Sequence, residues 1–442
     1  MISKIRELLE KGDFGGIKRL LKTLHYRDIA RIIERLDPVH KLLIFENLDL
    51  DVAADTLLEL DEFSLKVILA KLDRPELTKL VSEMDSDEAT DIVATMTPRR
   101  RREVLRAIPK QTSKEVAELL KYPENTAGGR MSLDFLSLYT TDTVASSLRK
   151  IKRMREDIPK RAIFFVTDKN KRLLGWVHLR DLVFSSPRKL IKSILRPLKA
   201  KVYTMDDQED VARIAMKYEL SLVPVVDDLG ILKGVITYDD IMDVIEEENT
   251  EDILRFGGMG EIESAFAPPA KSAMRRLPWL YINLITAFLA AAVVGVFQNT
   301  IRAMVTLAVV MPIVAGMGGN AGIQTLTLII RSIALGEVEL SDAKRVLFKE
   351  LRVGLLTGTA VGALTGFIAW VFHAPLILAP LVFVSLIINM GIACGMGVAI
   401  PFLLKRLGLD PSLASGVILT TFTDCIGFFV LLGLASLALK IF

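Results

Sequence analysis

The chain has 442 residues, of which 51% are hydrophobic and 25% are charged, and its formal net charge is +3. This length exceeds a single hydrophobic core, so we expect several domains, and the small net charge gives no sign of a nucleic-acid partner. The charged residues are concentrated before Leu277, and both cysteines, Cys394 and Cys425, lie in the apolar part behind it, which excludes a disulfide-rich secreted protein.

A 12-residue repeat runs through the first part of the chain. Each unit reads as a short helix, and an aspartate directly after five of the repeat positions would begin the next helix as its N-cap. Units this small cannot bury an apolar face alone, so we predict an all-α solenoid of short helices over residues 1–122. The repeat positions are Leu24, Leu36, Leu48, Leu60, Leu72, Met84, Met96 and Ile108, and the aspartates are Asp37, Asp49, Asp61, Asp73 and Asp85.

Two later segments, FFVTDKNKRLLGWVHLRDLV from Phe164 and VPVVDDLGILKGVITYDDIM from Val223, align without a gap. In each, two alternating hydrophobic runs around a Gly-bearing hairpin precede a helix start, which predicts a β-β-α unit with a further helix upstream. The pair resembles tandem cystathionine-β-synthase-type (CBS) domains, an α/β fold, over residues 123–245. Such pairs often bind adenine nucleotides, so the resemblance implies ATP as a ligand with Thr237 and Asp240 as its contacts; the alternative is that Asp240 only caps its helix.

The segment DDIMDVIEEENTED, residues 239–252, holds eight carboxylates and no basic side chain. Like charges at helical spacing destabilise a helix by roughly 0.2–0.5 kcal/mol per pair. We therefore expect a divalent cation such as Mg²⁺, which prefers oxygen ligands, to compensate them; a solvated acidic linker is the alternative. A second acidic cluster in the solenoid could face this helix, so that cations bridge the two surfaces. The acids on adjoining faces of the helix are Asp240, Asp243, Glu247, Glu248, Glu251 and Asp252, and the second cluster is Asp85, Asp87, Glu88 and Asp91.

Five stretches near the end of the chain are long and apolar enough to span a bilayer. Lys and Arg gather in the loops on the side of the N-terminal part, whereas the opposite connections hold only Arg302 and Lys440, so we predict a cytoplasmic N-terminus and a place in the cell inner (plasma) membrane. Residues 275–442 would form an α-helical transmembrane domain. An acidic connecting helix at 246–274 would join it to the CBS pair and would move the gate when cations bind. The predicted spans are 278–299, 304–333, 352–372, 380–403 and 413–438.

Asp424 stands alone in the fifth predicted span, within GVILTTFTDCIGFFVLLGLA. A charge near the bilayer midplane costs at least ~2.5–3.5 kcal/mol, and no Lys, Arg or His in any span could neutralise it. Either the acid is protonated in a helix–helix hydrogen bond, or a cation visits it. The second span, MPIVAGMGGNAGIQTLTL, adds Asn320 and Gln324 among a proline and four glycines, and such segments line watery cavities. Thr420 and Thr421 add hydroxyls near the acid.

With one carboxylate per chain, a strongly charged site would need two chains. We therefore expect a homodimer in which two Asp424 carboxylates face one hydrated Mg²⁺. A row of glycines in the third span indicates close helix packing instead of an ion site. These glycines are Gly354, Gly358, Gly362 and Gly366.

Over its full length the chain resembles the MgtE family of magnesium channels. A short-helix domain, a CBS pair, an acidic connecting helix and five spans follow in that order, with GGNAGIQ and TTFTDCIGF in place. The resemblance implies a homodimeric Mg²⁺-selective channel or transporter for magnesium uptake, not an enzyme, that cytosolic Mg²⁺ closes. In the family, the acid matching Asp424 holds the hydrated ion, and positions matching three further residues lie around it. These positions are Gly316, Gly319 and Thr420, and the acids that match the family's Mg²⁺ sensor are Asp240, Asp243, Glu248, Glu251, Asp252, Asp87 and Asp91.

Each alternative function would require different residues in the sequence. Some family members carry Asn at the positions of Ile323 and Gly416, so transport of Co²⁺, Ni²⁺ or Mn²⁺ stays open as an alternative. A CBS-regulated anion or osmolyte carrier is disfavoured, because the midplane acid lacks a basic partner. An intramembrane enzyme would need a metal site or a nucleophile–base pair, and the sequence has no HExxH motif. In a membrane-anchored nucleotide sensor Asp424 would be dispensable.

Overall fold

A computed structural model of the chain describes residues 2–153, 162–259, 268–373, 375–413 and 416–441. These residues form two compact units, one ending at Glu248 and the other beginning at Asn249. The division falls inside one long helix, and each unit has its own core.

The first unit begins with a run of short helices in the order that the repeat predicts. All five repeat aspartates stand at helix N-caps. The Asp61 carboxylate accepts a hydrogen bond from the Ser64 N–H at 2.8 Å, and Asp73 forms a reciprocal capping box with Glu76. The helices are α1 (Ile2–Glu10), α2 (Phe14–Leu21), α3 (Tyr26–Glu34), α4 (Pro38–Phe45), α5 (Leu50–Leu58), α6 (Glu62–Lys71), α7 (Arg74–Glu83), α8 (Ser86–Ala94), α9 (Pro98–Ala107) and α10 (Lys110–Leu119).

Helices two apart in the chain pack together in this run. Helix α3 contacts α5, α5 contacts α7 and α7 contacts α9, while α4 contacts α6 and α8 contacts α10. The repeat positions join one continuous core, and six of the eight are less than a tenth exposed. The predicted all-α solenoid is confirmed, because the 12-residue period lets each helix bury one face against its second neighbour.

Two α/β units of the same topology follow the solenoid. In each three-stranded sheet, the first strand pairs parallel to the second and the second pairs antiparallel to the third. The predicted β-β-α units are confirmed, and each also begins with a strand of only three or two residues that the hydrophobic pattern did not indicate. The elements are α11 (Ala127–Arg130), β1 (Ser137–Tyr139), α12 (Val144–Arg153), β2 (Ile163–Thr167), β3 (Leu173–His178), α13 (Leu179–Phe184), a 3₁₀ turn (Ile191–Ser193), β4 (Val202–Tyr203), α14 (Gln208–Tyr218), β5 (Leu222–Val226), β6 (Leu232–Thr237) and α15 (Tyr238–Phe256).

Aligned glycines bring the backbone of each hairpin close to another segment. A Cβ at Gly175 would lie 2.3 Å from the carbonyl oxygen of Arg196, and a Cβ at Gly234 would lie 2.7 Å from Cγ of Met131. A side chain at either position would require its neighbour to move. This close approach explains why both segments carry glycine at the matching place.

Among its described residues, the second unit contains five helices long and apolar enough to cross a membrane. They agree with the predicted spans, except that the first and third helices begin earlier and a short helix lies between the first two. The helices are α16 (Pro269–Val296), α17 (Gln298–Ala303), α18 (Thr306–Ala334), α19 (Ala343–Val371), α20 (Leu378–Arg406) and α21 (Gly416–Ile441), with 3₁₀ turns at Leu340–Asp342 and Pro411–Leu413.

The glycines of α19 allow this helix to lie directly against α20. A Cβ at Gly354 would lie 2.6 Å from the carbonyl oxygen of Met390, and a Cβ at Gly358 would lie 2.9 Å from Cα of Ile387. The prediction of close packing in the third span is confirmed. Helix α18 packs against both α20 and α21, so these three helices share one core.

The predicted connecting helix at 246–274 differs from the observed elements. Its acidic part belongs to α15, which begins at Tyr238 inside the predicted CBS range and ends at Phe256. Residues 260–267 of the predicted helix lie outside the described residues. The acidic run contains no Gly or Pro, so the helix that starts in the second CBS unit continues through it, and Gly258, with φ of 74°, follows its end.

Candidate functional site

Polar groups of α18 and α21 lie on a surface that the single chain leaves uncovered. Asn320 and Gln324, one helical turn apart on α18, are exposed, and Asp424 on α21 is partly exposed. Gly316, one turn before Asn320, has open space where a side chain would stand. The structure thus brings these four predicted site residues to open positions on two helices that contact each other.

The two helices meet next to the acid through small side chains. A Cβ at Gly319 would lie 3.7 Å from Cγ2 of Thr420, and Gly319 directly precedes the exposed amide of α18. The hydroxyls of Thr420 and Thr421 both donate to the carbonyl oxygen of Val417, at 3.1 and 2.7 Å. These hydroxyl oxygens therefore keep lone pairs that can face an ion or its water.

Asp424 has no hydrogen-bond or ion-pair partner within the described residues. A protonated acid in a helix–helix hydrogen bond would need an acceptor or donor on a neighbouring helix, and this part of the chain provides none. The structure therefore favours the other alternative from the sequence, in which a mobile cation visits the acid.

Two buried polar side chains of the membrane half were not indicated by the sequence argument. Asn389 of α20 is fully buried and donates from Nδ2 to the carbonyl oxygen of Val314 at 2.9 Å. Glu350 of α19 is 3% exposed and accepts from the Thr325 hydroxyl at 3.1 Å and from the Lys349 ammonium at 2.5 Å. An amide within an apolar span could have pointed to Asn389 in the sequence. Glu350 could not be singled out, because it stands among the charged residues of a predicted loop.

The last turn of α15 lies against the helices that carry the uncovered polar groups. Phe256 packs against an apolar cluster that includes Leu326 of α18 and Leu419 of α21. A Cβ at Gly416, the first residue of α21, would lie 4.0 Å from the carbonyl oxygen of Phe256. These contacts all belong to the second unit. They place the end of the acidic helix beside the C-terminal half of α18 and the first turn of α21.

Two predicted regulatory ligands also belong to this second unit. Arg255 forms ion pairs with Glu251 of its own helix and with Asp410, which precedes α21. Burial and the neighbouring Asp410 carboxylate raise the pKa of Asp252 above its usual range. The acids at this end of α15 are therefore balanced in part by a fixed arginine that stands just outside the acidic run.

In the first unit, α8 of the solenoid and α15 bring acids of the two predicted clusters together. Burial, and then the nearby Asp240 carboxylate, raise the pKa of Asp87 well above its usual range. Burial raises the pKa of Glu88 to about 7 and, against the attraction of Arg130, the pKa of Asp91 to about 7. Burial also raises the pKa of Asp240. Crowded, desolvated carboxyls resist ionisation in this way.

Fixed basic and amide side chains compensate other acids of α15. The acidic run itself contains no basic residue, and the partners of two of its acids stand 216 and 117 residues away in the chain. Only the fold could reveal these pairs. The contacts are Arg27 with Asp243 at 3.4 Å, Arg130 with Glu247, and Gln208 with Arg130 at 2.8 Å and with Glu248 at 2.5 Å.

The acids of α8 and α15 that lack a fixed basic partner are better arranged for a cation that binds through its water shell than for one that they would ligate directly. No group of three or more His, Cys, Asp or Glu side chains in the described part of the chain is arranged to ligate one metal ion. Oδ1 of Asp87 is nevertheless buried and has no hydrogen-bond partner there. Such an atom is costly to bury, and a hydrated Mg²⁺, which keeps several of its waters, would satisfy it.

Thr237 and Asp240, the predicted nucleotide contacts, bond to each other at the start of α15 in this structure. The N–H of Thr237 donates to the Asp240 carboxylate at 3.1 Å, and its hydroxyl bonds to the same oxygen. A separate cavity of about 90 Å³ between the two sheets is lined by Phe165, Trp176 and Pro224, among others. Ligand pockets usually measure about 300–1,000 Å³, so ATP does not fit this cavity in its present form.

Family models match the chain in the order of its domains. The MgtE model, described as a divalent cation transporter, matches residues 311–434, and the MgtE intracellular N domain matches residues 24–125. The CBS domain matches residues 128–187 and 197–247. The magnesium transporter MgtE of Thermus thermophilus is 34% identical over 99% of this chain and 98% of that protein. The chain belongs to the MgtE family.

Further comparisons agree with membership of the MgtE family. The magnesium transporter MgtE of Bacillus subtilis is 28% identical over 99% of this chain and 97% of that protein. A crystal structure of the cytosolic domain of the Mg²⁺ channel MgtE in complex with ATP is 29% identical and superposes with a TM-score of 0.52, covering 55% of this chain and all of that one. The chain is therefore a multi-pass membrane protein of a transporter family, which argues against the intramembrane-enzyme hypothesis.

Proposed function

We propose that the chain mediates Mg²⁺ uptake as a channel or channel-like transporter in which Asp424 binds the hydrated ion. The observation that carries the proposal is a carboxylate with no partner in the described residues, on a helix in contact with the one that exposes Asn320 and Gln324. Mg²⁺ prefers such oxygen donors and loses its water reluctantly, which favours recognition through the hydration shell. Both relatives, from Thermus thermophilus and Bacillus subtilis, are magnesium transporters, which supports the same ion.

A homodimer is part of this proposal. Ionisable and amide groups exposed to lipid hydrocarbon are costly, and Asp424, Asn320 and Gln324 would face lipid if the chain were alone. A second copy placed on this face would cover them, and two Asp424 carboxylates would then share one divalent ion. The ion path would lie between the two subunits.

Closure by cytosolic Mg²⁺ is the regulatory part of the proposal. Its support is the set of crowded acids of α8 and α15, among them Asp87 with its unpartnered oxygen. When ionised these acids repel one another, and a cation between them would draw the two helices together. Helix α15 continues without a break to Phe256, which contacts α18 and α21. The N-terminal domains would then be cytoplasmic, in agreement with the positive loops.

ATP is proposed as a further ligand of the CBS pair. The ATP complex of the similar cytosolic domain supports it. The Thr237 and Asp240 groups would have to exchange their mutual hydrogen bonds for bonds to the ligand.

Replacement of the pore acid tests the proposed function. Asp424→Asn keeps the shape of the side chain and removes its charge, so Mg²⁺ uptake into proteoliposomes should fall at least about thirtyfold, as expected for about 2 kcal/mol of lost ion binding. A fluorescent Mg²⁺ indicator inside the vesicles measures the rate. Cys425→Ser, at the adjacent position, is the matched control and should retain uptake. Wild-type uptake by Asp424→Asn would contradict the pore assignment.

Transport of other divalent cations is the second candidate function. A Cβ at Gly416 would lie 3.9 Å from Cδ1 of Ile323, so these two positions meet and neither offers an amide to an ion. Uptake of Co²⁺, Ni²⁺ and Mn²⁺ by the same vesicles separates the two candidates. Rates comparable to that of Mg²⁺ would favour a general divalent cation transporter.

A further inference from the structure

Asn389 occupies an unusual place in the membrane half. Its side chain is fully buried where α18, α20 and α21 meet, and Nδ2 donates to the carbonyl oxygen of Val314 on α18 at 2.9 Å. Within the described residues, its Oδ1 is buried and has no hydrogen-bond partner. An apolar side chain of the same size would avoid this unsatisfied acceptor, so the stability of the single chain does not explain the amide.

Glycines of two neighbouring helices make room for this amide. A Cβ at Gly318 of α18 would lie 2.2 Å from Nδ2 of Asn389, and a Cβ at Gly427 of α21 would lie 2.7 Å from the same atom. A side chain at either position would require the Asn389 amide to move. The amide is therefore a wedge that contacts the backbone of both helices.

Both contacts lie beside the residues proposed to bind the ion. Gly318 stands two positions before Asn320 on α18, and Gly427 stands three positions after Asp424 on α21. On α18 the exposed amide and the wedge contact lie on different sides of the helix, because Asn320 is exposed and Gly318 is buried. A change in the wedge would shift α18 relative to α21 without touching the ion.

We propose that Asn389 is a positioning residue that sets the separation of α18 and α21 across the ion path and thereby its selectivity. This inference rests on the proposed function of Asp424. The Nδ2 hydrogen bond holds α18 at one distance from α20, and the close approach of Gly427 sets α21 against the same side chain. Mg²⁺ demands near-ideal octahedral geometry and retains its waters, so a small shift penalises Mg²⁺ more than Co²⁺, which binds oxygen and nitrogen ligands more tightly.

The first test replaces the amide by an apolar side chain with the same number of heavy atoms and the same branching. Asn389→Leu loses the donor to Val314, so Mg²⁺ uptake should fall about tenfold, the change that about 1.4 kcal/mol produces, and the ratio of Mg²⁺ to Co²⁺ uptake should fall with it. Ser385→Ala is the matched control, because Ser385 is equally buried on α20 but its hydroxyl bonds within its own helix, to Leu381. The control should keep the wild-type ratio.

The second test uses the fit between the wedge and its glycine. Gly318→Ala alone clashes with the amide, whereas in the double variant Gly318→Ala/Asn389→Ala the new methyl group fills part of the space that the amide leaves. The double variant should therefore take up Mg²⁺ faster than Gly318→Ala alone, which a purely additive pair of defects cannot give. Gly433→Ala on α21, where a Cβ meets nothing within 4 Å, is the control for the added methyl group.

The outcomes separate this inference from the proposed function. The inference is overturned if Asn389→Leu keeps the wild-type uptake ratio, including the case in which it only lowers thermal stability and total uptake. It is also overturned if the double variant is no better than Gly318→Ala. Asp424→Asn, measured in parallel, tests the proposed function. If Asp424→Asn loses uptake while the Asn389 variants behave like the wild type, the pore assignment stands and only the positioning role of Asn389 is rejected.

Discussion

The acids of the first unit and the acid of the membrane half differ in how their charge is balanced. On α8 and α15 many carboxyls crowd together, and Arg130 and Arg27 neutralise some of them from distant parts of the chain. On α21 a single carboxylate, Asp424, has no partner in the described residues. The crowded acids are partly desolvated inside one chain, whereas Asp424 opens onto a surface that the chain leaves bare.

This difference matches the two roles that we propose. A fixed counter-charge at Asp424 would compete with the ion and hold it out of the path, so conduction requires an unpaired acid. The regulatory cluster must instead loosen when the ion leaves without coming apart, and its arginines supply the attraction that remains. The surplus of acids over arginines then makes the assembly sensitive to a divalent cation. The experiments below change that surplus in either direction.

The largest effect is expected from removing a fixed arginine of the cluster. Arg130→Met keeps the apolar stem but leaves Glu247 and Asp91 without their cation, at a cost of about 2 kcal/mol, and the thermal midpoint of the full chain without Mg²⁺ should fall by about 4–8 °C. Saturating Mg²⁺ should restore more of the midpoint than it adds to the wild type. Differential scanning fluorimetry in detergent measures both values.

An exposed ion pair provides the control for this substitution. Arg213 pairs with Asp210 three residues away, and both side chains are about half exposed. Because exposed pairs contribute about 0–1 kcal/mol, Arg213→Met should change neither the midpoint nor its response to Mg²⁺. Equal losses in the two variants would mean that Arg130 is an ordinary surface charge.

A change of opposite sign is expected from removing one of the surplus acids. Asp87→Asn removes a buried carboxyl whose ionisation the neighbouring acids oppose and whose Oδ1 lacks a partner in the described residues, so stability without Mg²⁺ should rise by about 1–3 kcal/mol, with a higher thermal midpoint. The further rise on adding Mg²⁺ should shrink, and Mg²⁺ should inhibit transport less steeply. The exposed Asp228→Asn variant is the control for a lost carboxylate. An undiminished Mg²⁺ response in Asp87→Asn would remove this acid from the sensor.

Local patterns were sufficient to predict most of the fold. The 12-residue spacing placed every repeat aspartate at a helix N-cap, and the match between Gly175 and Gly234 predicted two hairpins. The lengths of the uncharged stretches predicted the five long helices. These features depend on a few neighbouring residues, so a single sequence reveals them.

Features that depend on distant partners were not accessible from the sequence. The pairing of Arg27 with Asp243 joins residues 216 positions apart, and no local pattern points to it. The short strands that open each CBS sheet are too brief to show alternation. Asn389 was visible as an amide in a span, but only the packing of three helices shows what surrounds it. Whether the proposed ion ligands act together depends on a second subunit, which a single sequence does not position.

The stability of the chain should also depend on pH. Burial raises the pKa of Glu88 and of Asp91 to about 7, from ordinary values of 4.5 and 3.8. The folded chain therefore binds these protons more tightly than the unfolded chain, and stability without Mg²⁺ should fall as pH rises from about 4 to about 7 and level off above it. The double variant Glu88→Gln/Asp91→Asn should lose this part of the pH dependence. A wild-type slope in the variant would assign the titration to other groups.

The smallest effects are expected at aspartates of the same solenoid that only begin helices, and they separate structural acids from sensing ones. Asp73 forms a capping box with Glu76, so Asp73→Ala should cost about 1 kcal/mol. Asp49 stands at an N-cap without a side-chain cap bond and pairs on the surface with Lys22 at 3.0 Å, so Asp49→Ala should leave the thermal midpoint nearly unchanged. Neither acid belongs to the crowded cluster, so the rise in midpoint on adding Mg²⁺ should equal that of the wild type in both variants. A reduced Mg²⁺ response in Asp73→Ala would show that the cation acts on the solenoid as a whole, and the contrast between crowded and capping acids would then lose its meaning.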